Sequence, residues 1–327
     1  MKVLYAIQGT GNGHVARARE VIPILQKYCD VDILLAGNQS EITLPVTPKY
    51  TWRGLTFYYS KTGGIDHFKT VFSNNLLRWF KEVKSTPVED YDLILNDFEC
   101  VSAYAAKKKG VPIVSLSHQC SLLGENAPKP QKPSRIGEWI LRHYAPAENR
   151  VGFNFVAHDP FVHTPVIRKE IRALSFEDLG HITVYLPAYS NQILAKTFAP
   201  FTDYTFQVFS KNSNKIEVLE NCTFYPADSR TYVESFRTCS GLITGAGFEA
   251  PSEALFAGKK LIAIPIKDQY EQECNAQALS ELGVWVYADL NSFSPLRKWL
   301  DSPSVEPVIF KDETEEIIKN IIKSATT

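Results

Sequence analysis

The sequence predicts an α/β protein with two domains, each built around a mostly parallel sheet. Short apolar runs, the first at residues 3–7, alternate with helical patterns and lead into polar or glycine-rich turns, which is typical of parallel α/β sheets. This alternation restarts near residue 181, and 327 residues are enough for two domains of this kind. We therefore expect two sheet domains joined by a linker.

Composition and charge exclude several classes of protein. Hydrophobic residues make up 44% and charged residues 22% of the chain, as in ordinary globular enzymes. The formal net charge of -1 argues against general nucleic-acid binding. The six cysteines show no CxxC pair or metal-like spacing, which favours buried reduced thiols and a cytoplasmic setting. No apolar run reaches the length of a signal sequence or a membrane span, so we expect a soluble protein.

A glycine-rich turn, GTGNGH at residues 9–14, follows the first predicted strand. His14 stands where the third glycine of a dinucleotide-binding GxGxxG would be, and the turn lacks the lysine of a phosphate-binding P-loop. Glycines let a substrate approach the backbone, and an imidazole is suited to take a proton from a hydroxyl group at neutral pH. A histidine that caps the following helix is the simpler interpretation when the turn is considered alone.

Polar residues end two further predicted strands of the first half. Asp97 ends the strand at 92–97, and His118 follows the strand at 111–116. The carboxyl ends of parallel strands face the ligand crevice of a sheet, so we expect both side chains near that crevice. Asp97 either orients a catalytic histidine or caps the next helix, and the sequence leaves both interpretations open. His118 is interpreted as a group that lines this crevice.

The stretch from residue 52 to residue 84 combines aromatic and basic side chains. We expect a strand at 52–59, a glycine turn at 61–64 and an amphipathic helix at 67–84. A basic, aromatic helix can lie on a membrane surface or contact a lipid-linked acceptor. Most such helices pack their apolar face on a core, so peripheral membrane contact is the less favoured interpretation.

The most informative stretch lies between residues 241 and 276. A buried strand leads into GAGF at residues 245–248, and a helix with Pro251 in its first turn follows. Glycines let backbone amides approach a ligand, and a helix N-terminus with free N–H groups is suited to bind phosphate. Glu253, one turn further, can accept from two neighbouring hydroxyls, so the stretch predicts a nucleotide site. Glu249 is either a helix N-terminal charge or a partner for a sugar hydroxyl or a cation.

This stretch resembles the donor site of nucleotide-sugar glycosyltransferases with two Rossmann-like domains and a cleft between them, the GT-B architecture. That group includes the MurG-type N-acetylglucosaminyltransferases and the UDP-glycosyltransferases. The helix glutamate Glu253 matches the family motif, and so do EQ at residues 271–272 and NA at residues 275–276. The turn at 9–14 resembles the N-terminal loop of the MurG-type enzymes. Asp97 resembles the aspartate that orients the catalytic histidine in UDP-glycosyltransferases.

The resemblance implies a role for each of these residues. His14 is expected to deprotonate the acceptor, and Asp97 is expected to orient His14. The implied donor-binding residues are Gly245, Ala246, Gly247, Phe248, Glu249, Glu253, Glu271, Gln272 and Phe224. The implied acceptor-side residues are Gly11, Asn12, Gly13 and His118. Related enzymes carry a second, glycine-rich diphosphate contact where this chain has residues 185–190, and glycine is missing there.

The implied activity is an inverting, metal-independent transfer of a sugar from a nucleoside diphosphate, in the first place UDP, to a hydroxyl of a sugar, lipid-linked or small-molecule acceptor. We expect no metal and no cofactor, because the DxD string at residues 30–32 opens a strand instead of ending one. The implied domains are residues 1–165 for the acceptor and 166–311 for the donor, with a terminal helix at 312–327 that packs back on the first domain. A nucleotide-sugar epimerase and a non-catalytic sugar-nucleotide-binding protein are the alternatives. The expected location is the cytoplasm or the inner face of the membrane.

Overall fold

The computed structural model describes residues 1–37, 43–55, 75–290 and 295–325, and within these ranges the chain forms two seven-stranded sheets. The first sheet comprises β1 (Lys2–Gln8), β2 (Asp30–Ala36), β3 (Tyr50–Trp52), β4 (Leu93–Asp97), β5 (Ile113–Ser117), β6 (Asn149–Phe153) and β7 (Val162–His163). The second comprises β8 (His181–Tyr185), β9 (Thr205–Ser210), β10 (Glu217–Leu219), β11 (Cys222–Pro226), β12 (Gly241–Gly245), β13 (Lys260–Ile264) and β14 (Trp285–Val286). The predicted α/β class with two parallel-sheet domains is confirmed.

Both sheets change the direction of their strand order near the centre. The first has the order β3-β2-β1-β4-β5-β6-β7, with every neighbouring pair parallel. The second has the order β10-β11-β9-β8-β12-β13-β14 and is parallel except for the β10–β11 hairpin. Such a reversal opens a crevice at the carboxyl ends of the two strands beside it. These strands are β1 and β4 in the first sheet, and β8 and β12 in the second.

Helices follow most of the strands. They are α1 (Asn12–Leu25), α2 (Leu76–Ser85), α3 (Cys100–Lys109), α4 (His118–Ser121), α5 (Arg135–His143), α6 (Lys169–Arg172), α7 (Asn191–Phe198), α8 (Ser229–Thr238), α9 (Glu249–Phe256), α10 (Tyr270–Glu281), α11 (Leu296–Leu300) and α12 (Thr314–Ser324). Helix α1 begins directly after Gly11, whose φ of 101° lies in the left-handed region that favours glycine. Its inner side is buried and includes Val15, Ala18, Val21, Ile22 and Leu25.

A continuous cluster of buried apolar residues connects the two domains. It contains Tyr5 and Leu95 of the first sheet together with Leu242 and Leu261 of the second. Between the sheets, the rings of Phe155 and Phe248 lie 5.1 Å apart, so the end of the first domain packs against the predicted donor loop. This apolar contact brings the end of the first domain next to the crevice of the second sheet.

Three predicted elements lie wholly or partly outside the described part of the chain. The predicted strand at 52–59 is represented by β3, which ends at Trp52, and residues 56–59 lie outside the described part of the chain. The predicted turn at 61–64 and the first half of the predicted helix at 67–84 lie outside it too, and the described part of that helix is α2.

Helix α2 packs on the first domain through one side and exposes the other. Trp79 and Val83 are buried, while Leu76, Leu77 and Phe80 are exposed. The core-packing interpretation therefore accounts for part of its apolar surface, and peripheral membrane contact stays a prediction. Among the described residues, no helix has both the length and the apolar character needed to cross a membrane.

The link between the sheets and the chain's last helix lie close to the first domain. The first sheet ends with β7, and the second begins with β8 after the short helix α6. Helix α12 lies against α1, where Lys27 Nζ donates to Glu315 Oε2 over 3.0 Å and the Tyr28 hydroxyl donates to Glu315 Oε1. Three isoleucines of α12 are buried in this contact, Ile317, Ile318 and Ile321.

Candidate active site

The site begins with a histidine–aspartate pair between α1 and β4. His14 lies in the first turn of α1, and Asp97 ends β4, which is hydrogen-bonded to β1 beside that turn. The Nδ1 atom of His14 lies 2.7 Å from Oδ1 of Asp97. The sequence could not decide whether these two side chains meet. In the folded chain they do.

The alternative role for Asp97, a cap on helix α3, is filled by another residue. Glu99 caps that helix, because its carboxylate accepts from the amides of Val101 at 2.5 Å and Ser102 at 2.7 Å. Asp97 is completely buried. Burial alone would raise the pKa of Asp97, but the charges of Arg17 and His14 hold it below its ordinary value. Asp97 is therefore an ionised carboxylate that faces His14.

Arg17 is the residue of this site that sequence reasoning missed. Its Nε donates to Asp97 Oδ2 over 3.1 Å, and its Nη2 donates to Asp97 Oδ1 over 2.7 Å. Its Nη1 donates to Glu249 Oε1 in the second domain over 2.5 Å. The only signal in the sequence is the spacing from His14, since residues three apart share one side of a helix.

These contacts select one form of the His14 ring. An ionised Asp97 oxygen 2.7 Å from Nδ1 requires a proton on that nitrogen. Nε2 then carries the lone pair of the neutral ring. It faces the amide of Gln119, whose Nε2 lies 3.4 Å from it and donates to Glu271 Oε2 over 3.1 Å. The ring is thus oriented with its basic nitrogen toward α4 and α10.

The donor loop of the second domain lies on the other side of Arg17. It follows β12 and leads into α9, whose first residue is Glu249. Around Gly247, a Cβ atom would meet no atom within 4 Å, so the loop is open at that point. Gly245 lies beside Gln272, whose Oε1 would be 3.7 Å from a Cβ there. Gln272 also accepts from the Ile266 amide over 2.9 Å, which fixes its side chain next to the loop.

His118 occupies a different place from the predicted acceptor side. Its ring is buried, with Nδ1 2.8 Å from the Phe153 carbonyl oxygen and Nε2 2.7 Å from Asn275 Oδ1. The Phe248 ring stacks on it at 4.0 Å. Asn275 also donates to the Ala246 carbonyl oxygen over 3.0 Å. His118, Ala246 and Phe248 are therefore contacts between the domains, and no side of the His118 ring is left for an acceptor.

Glu253 is paired with an arginine of the interdomain segment. Nε of Arg168 lies 2.5 Å from Oε1 of Glu253, and Nη2 of Arg168 lies 2.8 Å from Oε2. Both residues line the pocket described below. A carboxylate oxygen has two lone pairs, so each can still accept from a ribose hydroxyl. No local pattern in the sequence indicates this pair, because 85 positions separate its members.

Phe224 lies in a different environment from that of a donor-binding residue. It belongs to strand β11, and its side chain is completely buried in the core of the second domain. Alternating side chains of a strand point to opposite faces, and this one points inward. Ala227 and Asp228, which follow β11, line the pocket in its place. Asp228 also caps helix α8 by accepting from the Thr231 amide over 3.0 Å.

A pocket of about 400 Å³ lies between α1 and the crevice of the second sheet. Its volume falls within the range of small-molecule sites in proteins. Four elements contribute most of the lining: α1, the segment before α6, the strand ends of the second sheet, and α9. The lining residues are Asn12, Gly13, Ala16, Arg19, Thr43, Arg168, Tyr185, Phe209, Ala227, Asp228, Tyr232, Glu249, Ala250 and Glu253.

The predicted acceptor-side glycine turn therefore borders the same pocket as the start of α9. Asn12 and Gly13 line it, while Gly11 is exposed at the start of α1. A Cβ atom on Gly13 would lie 3.0 Å from Cγ of Glu249, so the two domains approach each other closely at this glycine.

The DxD string lies away from the pocket. Asp32 lies in β2, where its Oδ2 accepts from Lys49 Nζ over 2.5 Å and from the Tyr91 hydroxyl over 2.7 Å. These contacts account for Asp32 as part of a surface ion pair. In the described ranges, no group of three or more His, Cys, Asp or Glu side chains is arranged to hold a metal ion.

Comparison with known proteins gives a family match and structural relatives. Residues 1–300 match the family model described as Glycosyl transferase family 1. No curated protein matches the chain in a sequence search.

Among solved structures, MurG from Acinetobacter baumannii is 13% identical, with a TM-score of 0.54 over 99% of this chain and 99% of that chain. The glycosyltransferase SsfS6 from Streptomyces sp. SF2575, complexed with thymidine diphosphate, is 10% identical, with a TM-score of 0.56 over 100% and 96% of the two chains. LpCGTa in complex with UDP is 12% identical, with a TM-score of 0.55 over 99% and 94%. At these identities the likeness shows a shared fold.

Proposed function

The chain belongs to glycosyl transferase family 1 and is a glycosyltransferase of GT-B architecture, and from that premise we propose that it transfers a sugar from a nucleoside diphosphate to an acceptor hydroxyl with inversion, without a metal ion or a cofactor. The observation that carries the proposal is the His14–Asp97 pair, since His14 directly follows Asn12 and Gly13, which line the pocket together with Glu249 and Ala250 at the start of α9. A base on one side of the sugar and a leaving group on the other are the requirements of a direct displacement.

In this reaction His14 acts as the general base. Its Nε2 takes the proton of the acceptor hydroxyl while the acceptor oxygen forms a bond to the sugar C1 atom. The bond from C1 to the diphosphate oxygen breaks on the opposite side, so the configuration at C1 inverts. Asp97 holds the proton on Nδ1 and stabilises the imidazolium that forms, as in other histidine–aspartate pairs.

The start of helix α9 stabilises the diphosphate as it leaves. The first amides of a helix have no partner within the helix, and their dipoles favour an anion. Ala250, in the first turn of α9, lines the pocket, and Pro251 follows it without an N–H of its own. Oriented amides of this kind can replace a metal ion at a leaving group. Arg19, an exposed cation that lines the same pocket, adds positive charge on the side of α1.

The proposed donor is a UDP-sugar, and the acceptor is a sugar, a lipid-linked or a small-molecule hydroxyl. One structural relative was solved with UDP and another with thymidine diphosphate, which supports a pyrimidine nucleoside diphosphate as a class. Tyr185, Phe209 and Tyr232 give the pocket three aromatic side chains, and aromatic rings are common partners of flat ligand groups. Glu253 is the proposed partner of the ribose hydroxyls.

A thermal-shift panel of UDP, GDP, dTDP, ADP and CMP tests the donor site without any acceptor. A ligand that binds only the folded protein stabilises it by about 2.7 kcal/mol at a hundredfold excess over its Kd. We expect one nucleoside diphosphate, UDP, to raise Tm by a few degrees and CMP to raise it much less. A panel in which no nucleotide raises Tm at millimolar concentration contradicts the donor site and the proposed reaction with it.

Turnover assays then separate the proposed reaction from its alternatives. Transfer that persists in excess EDTA is expected, whereas full loss that magnesium or manganese restores would contradict metal independence. Conversion of the donor sugar without any acceptor would indicate a nucleotide-sugar epimerase. Binding of the nucleotide without turnover on sugar, lipid-linked and small-molecule acceptors would indicate a non-catalytic binding protein. The anomeric configuration of the product, read from its proton coupling constant, tests inversion.

A further inference from the structure

Arg17 is a buried cation that contacts both domains and His14. Its side chain is 2% exposed, and its guanidinium lies over the Phe153 ring, 5.8 Å from the ring centroid. It donates twice to Asp97 of the first domain and once to Glu249 of the second. Burial disfavours the charged guanidinium, but these two carboxylates raise the pKa of Arg17 above its ordinary value, so it stays positive.

The contact between Arg17 and His14 is a contact between two donors. Nη2 of Arg17 lies 3.2 Å from Nδ1 of His14, and both atoms share Oδ1 of Asp97 as their acceptor. Because Nδ1 already carries a proton, Arg17 cannot donate to it. The remaining interaction is the repulsion between the guanidinium and the imidazolium that forms when Nε2 takes a proton. The contact therefore places the charge of Arg17 directly beside the imidazole ring.

Glu249 offsets this repulsion from the second domain. Its Oε1 accepts from Nη1 of Arg17 over 2.5 Å, on the side of the guanidinium turned away from Asp97. Glu249 is the first residue of α9, so its position depends on how the second domain sits against the first. Separation of the domains would remove the Glu249 charge from Arg17 and leave Asp97 in place. The charge around His14 therefore depends on the contact between the domains.

We propose that Arg17 is a positioning residue that relays the contact between the domains to His14, so that His14 takes a proton more readily when Glu249 holds Arg17 than when the domains are apart. This inference deepens the proposed function, since it assigns a regulation to the same base. Asp97 and Glu249 compete for the guanidinium of Arg17. With Glu249 bound, the cation is shared between two carboxylates. Without Glu249, the guanidinium bonds to Asp97 alone, and its whole charge lies next to the imidazole.

The other charged groups around the pair do not provide this link. Asp97 approaches from β4 and belongs to the same domain as His14. Glu271 approaches from α10 of the second domain, but Gln119 lies between it and His14. Tyr5 of β1 lies under Arg17, and burial raises its pKa, so its hydroxyl stays neutral. Burial also raises the pKa of Glu249 to about 7, so its charge on Arg17 is sensitive to pH in the neutral range.

The test follows the His14 ring by NMR and needs no substrate. The Cε1–H resonance of His14, assigned by its absence in His14→Gln, is titrated from about pH 5 to about pH 9. Arg17→Met removes the repelling cation, so we expect the His14 midpoint to rise by about one pH unit in this variant. Glu249→Gln removes the offsetting anion, so we expect its midpoint to fall by several tenths of a unit. Opposite shifts of this kind do not follow from a purely structural role for either residue.

The double variant shows whether Glu249 acts on His14 through Arg17 or directly. If Glu249 acts through Arg17, Glu249→Gln leaves the midpoint unchanged in the Arg17→Met background. An equal shift in both backgrounds means that Glu249 acts directly on His14 and overturns the relay. A His14 midpoint that rises or stays at the wild-type value in Glu249→Gln also overturns the relay. Arg17→Met leaves Asp97 buried without its main partner. If that variant does not fold, the direction of the His14 midpoint shift in Glu249→Gln still tests whether Glu249 favours protonation of His14.

A matched control is Arg237→Met. Arg237 also joins two carboxylates, Glu234 at 2.8 Å and Glu177 at 3.0 Å, but it lies outside the pocket. We expect it to leave the His14 titration at the wild-type midpoint, and a shift like that of Arg17→Met would overturn the assignment to Arg17. The titration of His14 does not require sugar transfer to take place. Wild-type protein that binds no nucleotide contradicts the proposed function, whereas unchanged midpoints contradict the relay alone.

Discussion

Asp97→Asn is the substitution that probes the candidate base most directly. Asparagine keeps the size and shape of the side chain and removes its charge. In the wild-type protein the carboxylate accepts from His14 at 2.7 Å and from Arg17 at 3.1 Å and 2.7 Å, with no exposure to water. In the variant, the amide group can donate to His14 and thereby favour the tautomer whose proton lies on Nε2. That tautomer cannot accept the proton of a hydroxyl at Nε2.

Two effects of different size are expected. A wrong tautomer and an unsupported imidazolium cost about 10⁴-fold in kcat in the Ser-His-Asp enzymes, so we expect a loss of about 10²–10⁴-fold here. Removal of one partner from a buried ion pair costs about 3–5 kcal/mol of stability. We expect the lower end of that range, because Arg17 keeps its contact with Glu249. The donor KM is expected to change little, since Asp97 does not line the pocket.

The pH dependence of the stability gives the sign of the Asp97 contribution. Arg17 and His14 hold the pKa of the buried Asp97 below its ordinary value although burial alone would raise it. A carboxylate of this kind stabilises the fold above its unfolded pKa of about 4, and the contribution is lost as pH falls through the lower, folded pKa. We therefore expect Asp97→Asn to lower Tm most at neutral pH and to differ least from wild type in acid.

Steady-state transfer rates and chemical denaturation measure the two effects separately. The matched control is Asp159→Asn, which breaks a second histidine–aspartate contact of the first domain, with Oδ2 of Asp159 2.8 Å from Nδ1 of His158. We expect the control to lose stability and to keep its kcat. If Asp97→Asn lowers kcat by less than about tenfold while its stability falls as expected, Asp97 is a structural residue and the proposed base pair is wrong.

Three further substitutions have distinct expected results. His14→Ala should lower kcat by about 10²–10⁴-fold with nucleotide binding near wild type, and wild-type turnover in the variant would contradict the base assignment. Glu253→Ala should raise the donor KM more than it lowers kcat, because its proposed hydroxyl partners are the same in the ground and transition states and a charge-assisted bond is worth about 1.5–3 kcal/mol; an unchanged donor KM would remove Glu253 from the site. Gly137→Ala should disturb the docking of the domains, because its Cβ would lie 2.4 Å from Cβ and Cγ of Tyr270 across the interface; small-angle scattering and kcat that both match wild type would show that the interface adjusts at no cost.

The sheets and their functional ends could be predicted from local patterns. Buried parallel strands are continuous apolar runs, and a change to polar or glycine residues marks the end of each run. That rule located Asp97, the turn before His14 and the loop after β12. It works because strand ends and turns are determined by residues that are neighbours in the sequence.

The pairing of the charged residues could not be predicted in the same way. The sequence favours carboxylates such as Glu253 as ligand contacts, since a charge with no visible partner suggests a binding role. In the folded chain Arg168 binds both oxygens of Glu253, and Arg17 joins Asp97 to Glu249. The partners of these contacts are 80 to 232 positions apart. No local pattern specifies such a pair, and a buried arginine on a helix has the same spacing as an exposed one.

The direction of a side chain at a strand end could not be predicted from the sequence either. His118 follows β5 at the expected edge of the sheet, but it begins the short helix α4, which turns its ring toward Asn275 instead of the pocket. Phe224 lies in β11 with its ring on the inner face. The position of a residue at a strand end predicts the edge of the sheet on which it lies. It does not predict the face, because a shift of one residue in register turns every side chain of a strand to the opposite face.

The contacts between the domains and the candidate site use the same residues. Arg17, Glu249 and Gln119 each contact the opposite domain or a group that does, and each lies within hydrogen-bond reach of His14, of Asp97 or of a residue bound to them. A substitution that loosens the interface therefore also moves the base, so kcat and KM should change together. Gly137→Ala acts on the interface alone, because it introduces a steric overlap with Tyr270 and removes no hydrogen bond of the site. Its effect on kcat isolates the contribution of domain docking, and the loss in Asp97→Asn beyond that amount measures the base pair itself.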